Sequence, residues 1–191
     1  MKTESYLDIL KECGATLKGH FLLTSGLHSD TYVEKFKVLQ YPLLTDKLCK
    51  DIAEHFRKTK PHVIVGAATG GIIISHSIGR LLSTRSIFAE RENKNLVLRR
   101  GFDIKPGERV LIVDDVVTTG GSIYELMDLV TKKGGILMGI GVFIDRSGEK
   151  VNFGDSYFPL ITMDIPTYKP EECPLCASNI PLTTRGRTGK K

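Results

Sequence analysis

Apolar residues recur along the chain in two periods, and the two periods alternate. From Pro42 to Phe56 they return every four residues, which predicts an amphipathic helix. Further helices are predicted over 72–82 and 123–130 by the same spacing. Short continuous apolar runs predict buried strands at 63–65, 86–89, 110–113 and 136–144. Alternating strands and helices with continuously apolar strands predict an α/β fold, with a parallel sheet covered on both faces.

The length and composition are those of one globular domain. The chain has 191 residues, of which 41% are hydrophobic and 26% charged, and no repeat or long linker divides it. No apolar run is long enough to span a bilayer, and the first residues lack the apolar core of a signal peptide. The 4 cysteines are too few for a disulfide scaffold. We therefore expect a cytoplasmic protein without a membrane partner.

The formal net charge of +5 comes mostly from the C-terminal tail. Residues 183–191 contain four cations and no acid: Arg185, Arg187, Lys190 and Lys191. Without those four charges the rest of the chain stands at +1, whereas a polyanion-binding surface needs clustered charge on the folded body. We therefore expect no nucleic-acid partner and a loose tail.

Residues that carry chemistry concentrate at 114–122, between a predicted strand and a predicted helix. Ligands bind at this carboxyl end of the strands in open α/β sheets. Asp114 and Asp115 can accept hydrogen bonds from hydroxyls or help to hold a hydrated divalent cation. The hydroxyls and backbone N–H groups from Thr118 to Ser122 can converge on an anion at the helix start. A solvated turn with a helix cap is the alternative, but the combination favours a ribose 5-phosphate site.

The sequence resembles a known family at this point. Four apolar residues, two acids, two apolar residues and Thr-Thr-Gly-Gly resemble the phosphoribosyl pyrophosphate (PRPP) motif of type I phosphoribosyltransferases. Flanking segments resemble the orotate branch of that family: 19–29, 88–92, 98–102, 145–148 and 173–176. The resemblance implies a parallel-sheet α/β core with a small hood, built from about 1–40 and part of 155–180. It also implies transfer of the phosphoribosyl group from PRPP to N1 of orotate in pyrimidine biosynthesis, giving orotidine 5′-monophosphate and pyrophosphate.

The resemblance also implies roles for individual residues. Asp114 and Asp115 would bind the ribose hydroxyls, and the following residues would surround the 5′-phosphate. The implied PRPP segment is Asp114, Asp115, Val116, Val117, Thr118, Thr119, Gly120, Gly121 and Ser122. The turn with Ala68, Thr69 and Gly70 would hold the pyrophosphate with Mg²⁺, the metal being bound mainly through PRPP. Without the resemblance, that turn would be interpreted as an ordinary strand-to-helix connection.

Orotate is a planar anion, so its carboxylate needs a charge-assisted donor. The resemblance favours Arg146 for this role, with Thr118 nearby, although an arginine at a strand end can also be a plain surface charge. Backbone groups of residues 24–28 would hold other edges of the base, and Tyr32 would lie near its face.

Residues 90–101 resemble the family's mobile loop, which reaches into the neighbouring subunit of a homodimer with shared active sites. Arg91 and Lys94 are the favoured cations at the pyrophosphate, and a solvated, charged β-hairpin is the alternative. The chain departs from better-studied members, which carry lysines where it has Thr24 and Gly70.

Three alternatives stay open. Cys173 and Cys176 have the spacing of half a zinc site, but no histidine follows His76, which argues against a metal there. The enzyme could use another base, such as a purine. The chain could also be a PRPP-sensing regulator that binds nucleic acid without catalysis.

Overall fold

The structure is a computed structural model, and it describes residues 3–23, 25–93, 95–148 and 150–184, with side chains from Tyr6 onward. The helices of these ranges are α1 (Thr3–Glu12), α2 (Phe36–Leu39), α3 (Pro42–Phe56), α4 (Gly70–Leu82), α5 (Gly121–Lys132) and α6 (Pro174–Ala177). The strands are β1 (Thr16–Leu22), β2 (His28–Val33), β3 (Val63–Ala67), β4 (Arg85–Glu92), β5 (Asn95–Leu98), β6 (Arg109–Val117), β7 (Ile136–Asp145), β8 (Tyr157–Thr162) and β9 (Thr183–Thr184). Short 3₁₀ turns lie at Arg57–Thr59 and Pro170–Glu172.

The main sheet has six strands in the order β5-β4-β3-β6-β7-β8. All neighbours are parallel except β4 and β5, which form an antiparallel pair at one edge. The predicted parallel α/β sheet is therefore confirmed, with one antiparallel edge strand added. The switch point lies between β3 and β6, where crevices for ligands form in open sheets of this kind.

The core lies on both faces of this sheet because successive side chains of a strand point to opposite sides. In β3, Ile64 packs in one cluster of buried residues, while Val63 and Val65 pack in the other. The first cluster includes apolar residues of α3 and α4, and the second includes those of α5. Strands buried on both faces explain why these segments are continuously apolar in sequence.

The strongly periodic elements were predicted correctly, and their ends moved by a few residues. The helix predicted from Pro42 to Phe56 is α3, and the strand predicted at 110–113 extends to Arg109–Val117. β6 is longer than its apolar run because its last residues pair with β7, from Asp114↔Val142 to Val117↔Asp145. Asp114 and Asp115 therefore lie within β6 rather than after its end.

A second sheet joins the two ends of the described chain, in the order β2-β1-β9. β1 and β2 form an antiparallel hairpin whose turn is closed by a hydrogen bond from the Leu23 N–H to the Leu27 carbonyl, 2.8 Å. β9 pairs with β1 in parallel, and Tyr168 exchanges two backbone hydrogen bonds with His28. The first strands are thus held by residues that come near the end of the sequence.

The helices of the described ranges include none that is both long enough and apolar enough to cross a membrane.

Candidate functional site

The first wall of the site is the turn from β3 into α4. A side chain at Gly66 would overlap the backbone of Gly71, so glycine allows the strand and the helix to approach this closely. The peptide bond between Ala68 and Thr69 within the turn is cis. Thr69 is exposed, and the turn therefore presents its backbone at the edge of the sheet.

The acidic pair lies beside this turn at the end of β6. Asp114 and Asp115 are 8% and 3% exposed, and the Asp115 N–H donates to Asp114 Oδ1 at 2.9 Å. A Cβ at Gly70 would overlap the Asp115 carboxylate. The structure therefore brings together the two segments predicted for pyrophosphate and ribose. It also explains why residue 70 is a glycine here: a lysine side chain has no space on this backbone while Asp115 keeps its position.

Lys35 is a residue of the site that sequence reasoning missed. It precedes α2, and its Nζ lies 2.9 Å from Oδ1 and 2.8 Å from Oδ2 of Asp115. The lysine side chain is 37% exposed, whereas the Asp115 side chain is 3% exposed. A lysine among polar residues of a connecting segment carries no sequence signal for this contact, which spans 80 positions.

The predicted phosphate segment forms a concave surface lined by Asp114 and residues 116–123. Gly120 has φ +77° and a Cβ there would lie 2.8 Å from the Phe153 ring, so both the backbone and the space require glycine. α5 begins at the next residue, and the first N–H groups of a helix have no acceptor within it. Thr118 and Thr119 are exposed. This geometry suits an anion held by N–H groups and hydroxyls.

Arg146 follows β7, next to the end of β6. Its N–H donates to the Val117 carbonyl at 2.8 Å, which fixes the start of its turn to the end of β6. Its Nε is buried and has no hydrogen-bond acceptor among the described residues. Burial lowers the pKa of this guanidinium, and the Tyr32 phenol raises the same pKa, so Tyr32 of β2 lies within interaction range. A buried guanidinium nitrogen without an acceptor favours an anionic ligand.

The Arg146 turn is held by its neighbour Asp145. One carboxylate oxygen accepts the Ser147 N–H at 2.7 Å, and the other accepts the Tyr157 hydroxyl at 2.9 Å. Asp145 is 7% exposed, so it acts inside the protein to position the turn rather than at its surface. We use the term strand-end site for residues 66–71, residues 114–122, Lys35 and Arg146 together.

The predicted mobile loop is the β4–β5 hairpin. Arg91 makes two hydrogen bonds to the Glu125 carboxylate of α5, at 3.0 and 3.1 Å. Arg99 and Arg100 pair with Glu92 and Glu90 within the hairpin. The described arrangement is therefore a charged hairpin, in which the Arg91 guanidinium lies on Glu125.

Some predicted residues lie outside the described part of the chain. These are Thr24, Lys94, and the cations Arg185, Arg187, Lys190 and Lys191 of the tail.

The expectation that Cys173 and Cys176 lack histidine partners was wrong. His20 and His28, which precede them by about 150 residues, lie beside them, and the four ligand atoms are all within 4.8 Å of one another. We use the term His/Cys cluster for these four residues.

Comparisons with known proteins agree with this geometry. The phosphoribosyl transferase domain family matches residues 38–158. An orotate phosphoribosyltransferase of Chlorobium phaeobacteroides (strain BS1) is 46% identical over 186 residues, 97% of this chain and 96% of that protein. The solved orotate phosphoribosyltransferase from Aeropyrum pernix has a TM-score of 0.68 and 26% identity, over 82% of this chain and 92% of that one. The adenine phosphoribosyltransferase from Rhodothermus marinus DSM 4252 has a TM-score of 0.67 at 20% identity, over 84% and 99% of the two chains.

The sheet, its strand-end loops and the family match define the class: the chain is a phosphoribosyltransferase of the type I fold, an enzyme that transfers a pentosyl group. The fold alone does not select the base, because orotate and adenine enzymes superpose about equally well. Sequence identity over nearly the full length does select a branch. The chain belongs to the orotate phosphoribosyltransferase family.

Proposed function

We propose that this enzyme joins orotate to PRPP in the synthesis of pyrimidine nucleotides. The bond between C1 of the ribose and the pyrophosphate oxygen breaks, and a bond from C1 to N1 of orotate forms. N1 loses its proton, and the products are orotidine 5′-monophosphate and pyrophosphate. The family to which the chain belongs supports this reaction.

The observation that carries the choice of base is the buried Arg146 Nε, which has no acceptor among the described residues. A buried cationic donor without a partner is costly, and a ligand carboxylate would satisfy it with a charge-assisted hydrogen bond. Orotate has such a carboxylate, whereas adenine and hypoxanthine do not. Tyr32, within interaction range of the same guanidinium, would lie near the face of the base.

PRPP would bind along the rest of the strand-end site. The Asp114 and Asp115 carboxylates would accept hydrogen bonds from the two ribose hydroxyls. Residues 118–122 would hold the 5′-phosphate with their N–H groups and hydroxyls at the start of α5. Residues 68–70 would present backbone groups to the pyrophosphate, beside Asp115.

The residues present fit a hydrated Mg²⁺ that is held mainly through PRPP. Magnesium prefers oxygen ligands and commonly keeps several waters, and the buried Asp114 and Asp115 carboxylates offer oxygens next to the pyrophosphate turn. Asp115 already has one cation, Lys35, at 2.8 Å, which favours indirect rather than direct binding of the metal. Bound Mg²⁺ would supply positive charge at the leaving pyrophosphate.

Arg91 and Lys94 are the cations that we propose for the closed state of the hairpin. Arg91 would exchange its Glu125 partner for the pyrophosphate, and closure would exclude water that could otherwise hydrolyse PRPP. We further propose a homodimer in which the hairpin serves the neighbouring subunit's site. Mixed dimers of Lys94→Ala and Asp115→Asn chains would then regain activity, because each would contain one intact shared site.

We also place the enzyme in the cytoplasm, where cysteines stay reduced, and without a nucleic-acid partner. A body charge of +1 outside the tail supports the second point.

The test is an orotate absorbance assay with PRPP and Mg²⁺, repeated with EDTA and with adenine, hypoxanthine and uracil. Metal-dependent consumption of orotate alone is expected. Arg146→Ala should lower kcat/KM for orotate by about 100-fold while PRPP affinity is retained, since only the base loses its donor. Arg57→Ala, on the exposed surface, is the matched control. Turnover of adenine, or an Arg146→Ala enzyme with normal orotate kinetics, would overturn the assignment.

A further inference from the structure

We propose that the His/Cys cluster is a structural zinc site that joins the two ends of the chain. Its four side chains come from β1, the start of β2 and the segment that contains α6. His20, His28 and Cys173 are 2%, 5% and 3% exposed, whereas Cys176 is exposed. Three of the ligands are shielded from solvent, and the exposed Cys176 leaves a path by which a metal ion can enter.

Three nitrogen–sulfur distances are close to those around a single tetrahedral ion. The Cys173 and Cys176 sulfurs lie 3.6 and 3.7 Å from His20 Nε2, and the Cys176 sulfur lies 3.3 Å from His28 Nδ1. Zinc bonds of ordinary length at tetrahedral angles separate nitrogen and sulfur ligands by about 3.6 Å. His20 Nε2 and His28 Nδ1 are 2.9 Å apart, and an ion between them would widen this distance by about half an ångström.

The orientation of the His20 ring supports coordination. Its Nδ1 lies 2.7 Å from the Ile180 carbonyl, and a carbonyl can only accept a hydrogen bond. Nδ1 is therefore the donor to this carbonyl, and Nε2 is the ring atom that faces the cluster. Histidines that bind metals characteristically donate the opposite N–H to such an acceptor, which fixes the ring and its tautomer.

The ligand set selects the metal. Two thiolates and two imidazoles in a tetrahedron are typical of structural zinc, whereas Mg²⁺ and Ca²⁺ prefer oxygen ligands. A two-iron cluster with this ligand set would hold its histidines and its cysteines on separate irons. Four ligand atoms within 4.8 Å of one another fit one ion instead.

The position of the cluster gives the ion a structural role. It would connect residues 148 and 153 positions apart and so restrict the unfolded chain. His20 and His28 also flank the turn from Leu23 to Leu27, so the ion would hold the two strands that carry this turn. The cluster shares no residue with the strand-end site, and the proposal is independent of the identity of the base.

The first experiment measures metal content. The full chain, produced with zinc in the medium and purified without chelators or a histidine tag, should contain about one zinc ion per chain by mass spectrometry. Cys176→Ser is the mildest disruptive variant because Cys176 is exposed, and its zinc content should fall at least tenfold. Cys13→Ser, which changes a cysteine of the chain outside the cluster, should keep the metal. Wild-type protein without stoichiometric zinc would overturn the proposal.

A second measurement does not depend on a variant that folds. Co²⁺ added to zinc-depleted wild-type protein should give thiolate-to-cobalt charge-transfer bands and the intense visible bands of tetrahedral cobalt. Zinc should then displace the cobalt. Two outcomes would contradict the proposal: an octahedral cobalt spectrum, or a Cys173–Cys176 disulfide in protein purified under reducing conditions.

Discussion

Two regions of the molecule, the strand-end site and the His/Cys cluster, contain buried polar side chains in different arrangements. In the first, Arg146 Nε has no acceptor among the described residues, and the loop at 118–122 is open to solvent. In the second, the polar atoms face one another, and His20 is held by both His28 and the Ile180 carbonyl. An open set of donors suits a ligand that enters and leaves, whereas a closed set suits an ion that stays. The strand-end site is therefore suited to catalysis, and the His/Cys cluster is suited to stabilising the fold.

The largest expected effect comes from removing one charge in the strand-end site. Asp115→Asn keeps the volume but weakens acceptance from the ribose hydroxyl and stabilisation of positive charge at C1. We expect kcat/KM for PRPP to fall on the order of 100- to 1000-fold in steady-state assays. Asp128→Asn, an exposed carboxylate of α5 paired with Lys132, is the control and should change kcat/KM less than about twofold. Equal kinetics in both variants would remove Asp115 from the site.

A second pair of variants compares a glycine of the strand-end site with a glycine of the core. Gly70→Ala places a methyl group against the Asp115 carboxylate, so PRPP affinity measured by calorimetry should fall about tenfold or more. Gly139→Ala places the same group against the Phe56 ring in the core. It should lower the free energy of unfolding by about 1–3 kcal/mol while the folded protein retains PRPP affinity. If Gly70→Ala lowered only the free energy of unfolding and left PRPP affinity unchanged, the proposed binding of PRPP beside Gly70 and Asp115 would be wrong.

Chelation tests the proposed zinc ion of the His/Cys cluster. Treatment with 1,10-phenanthroline should lower the Tm of the PRPP-free protein by about 5–10 °C, because a ligand that binds only the folded state is removed. The effect should be absent in Cys176→Ser and present in Cys13→Ser, as measured by differential scanning fluorimetry. An equal shift in all three proteins would mean that the chelator acts elsewhere.

The smallest effect concerns the Arg146 turn and its pH dependence. Burial and the hydrogen bond to Asp145 raise the pKa of Tyr157 above its ordinary value. The stability that the protonated phenol contributes is therefore fully present at pH values below about 10, the pKa of tyrosine in the unfolded chain. It declines as the pH rises above that value. Tyr157→Phe should cost about 1 kcal/mol at neutral pH and make the alkaline decline shallower in urea titrations. Tyr41→Phe, at an exposed position, should change neither quantity.

The position of segment 114–122 at the end of a strand could be predicted because its residues are contiguous in sequence. The segment at 114–122 lies between a continuously apolar strand and a periodic helix, so its place at the sheet edge followed from local pattern. Lys35 could not be found in this way, because its contact with Asp115 depends on how β2 and α2 lie over the sheet. Long-range ion pairs leave no periodic signal.

The second sheet, β2-β1-β9, could not be predicted from hydrophobic periodicity either. β1 is only partly buried and mixes Lys18, Gly19 and His20, while β9 is two residues long. One signal for the His/Cys cluster was present: His20 and His28 flank a Thr-Ser-Gly turn, and a hairpin brings such residues side by side. Its pairing with a Cys-x-x-Cys segment near the other end of the sequence is set by tertiary structure alone.

The pairing of β1 with β9 has a consequence for the order of folding during synthesis. The ribosome releases β1 and β2 early, but the strand and the cysteines that complete their sheet emerge about 150 residues later. The parallel sheet can form in the meantime from elements that follow one another along the chain. The β1 edge of this hairpin therefore stays unpaired until residues 183–184 have been synthesised. Termination before residue 183 would leave that edge open to association with other nascent chains.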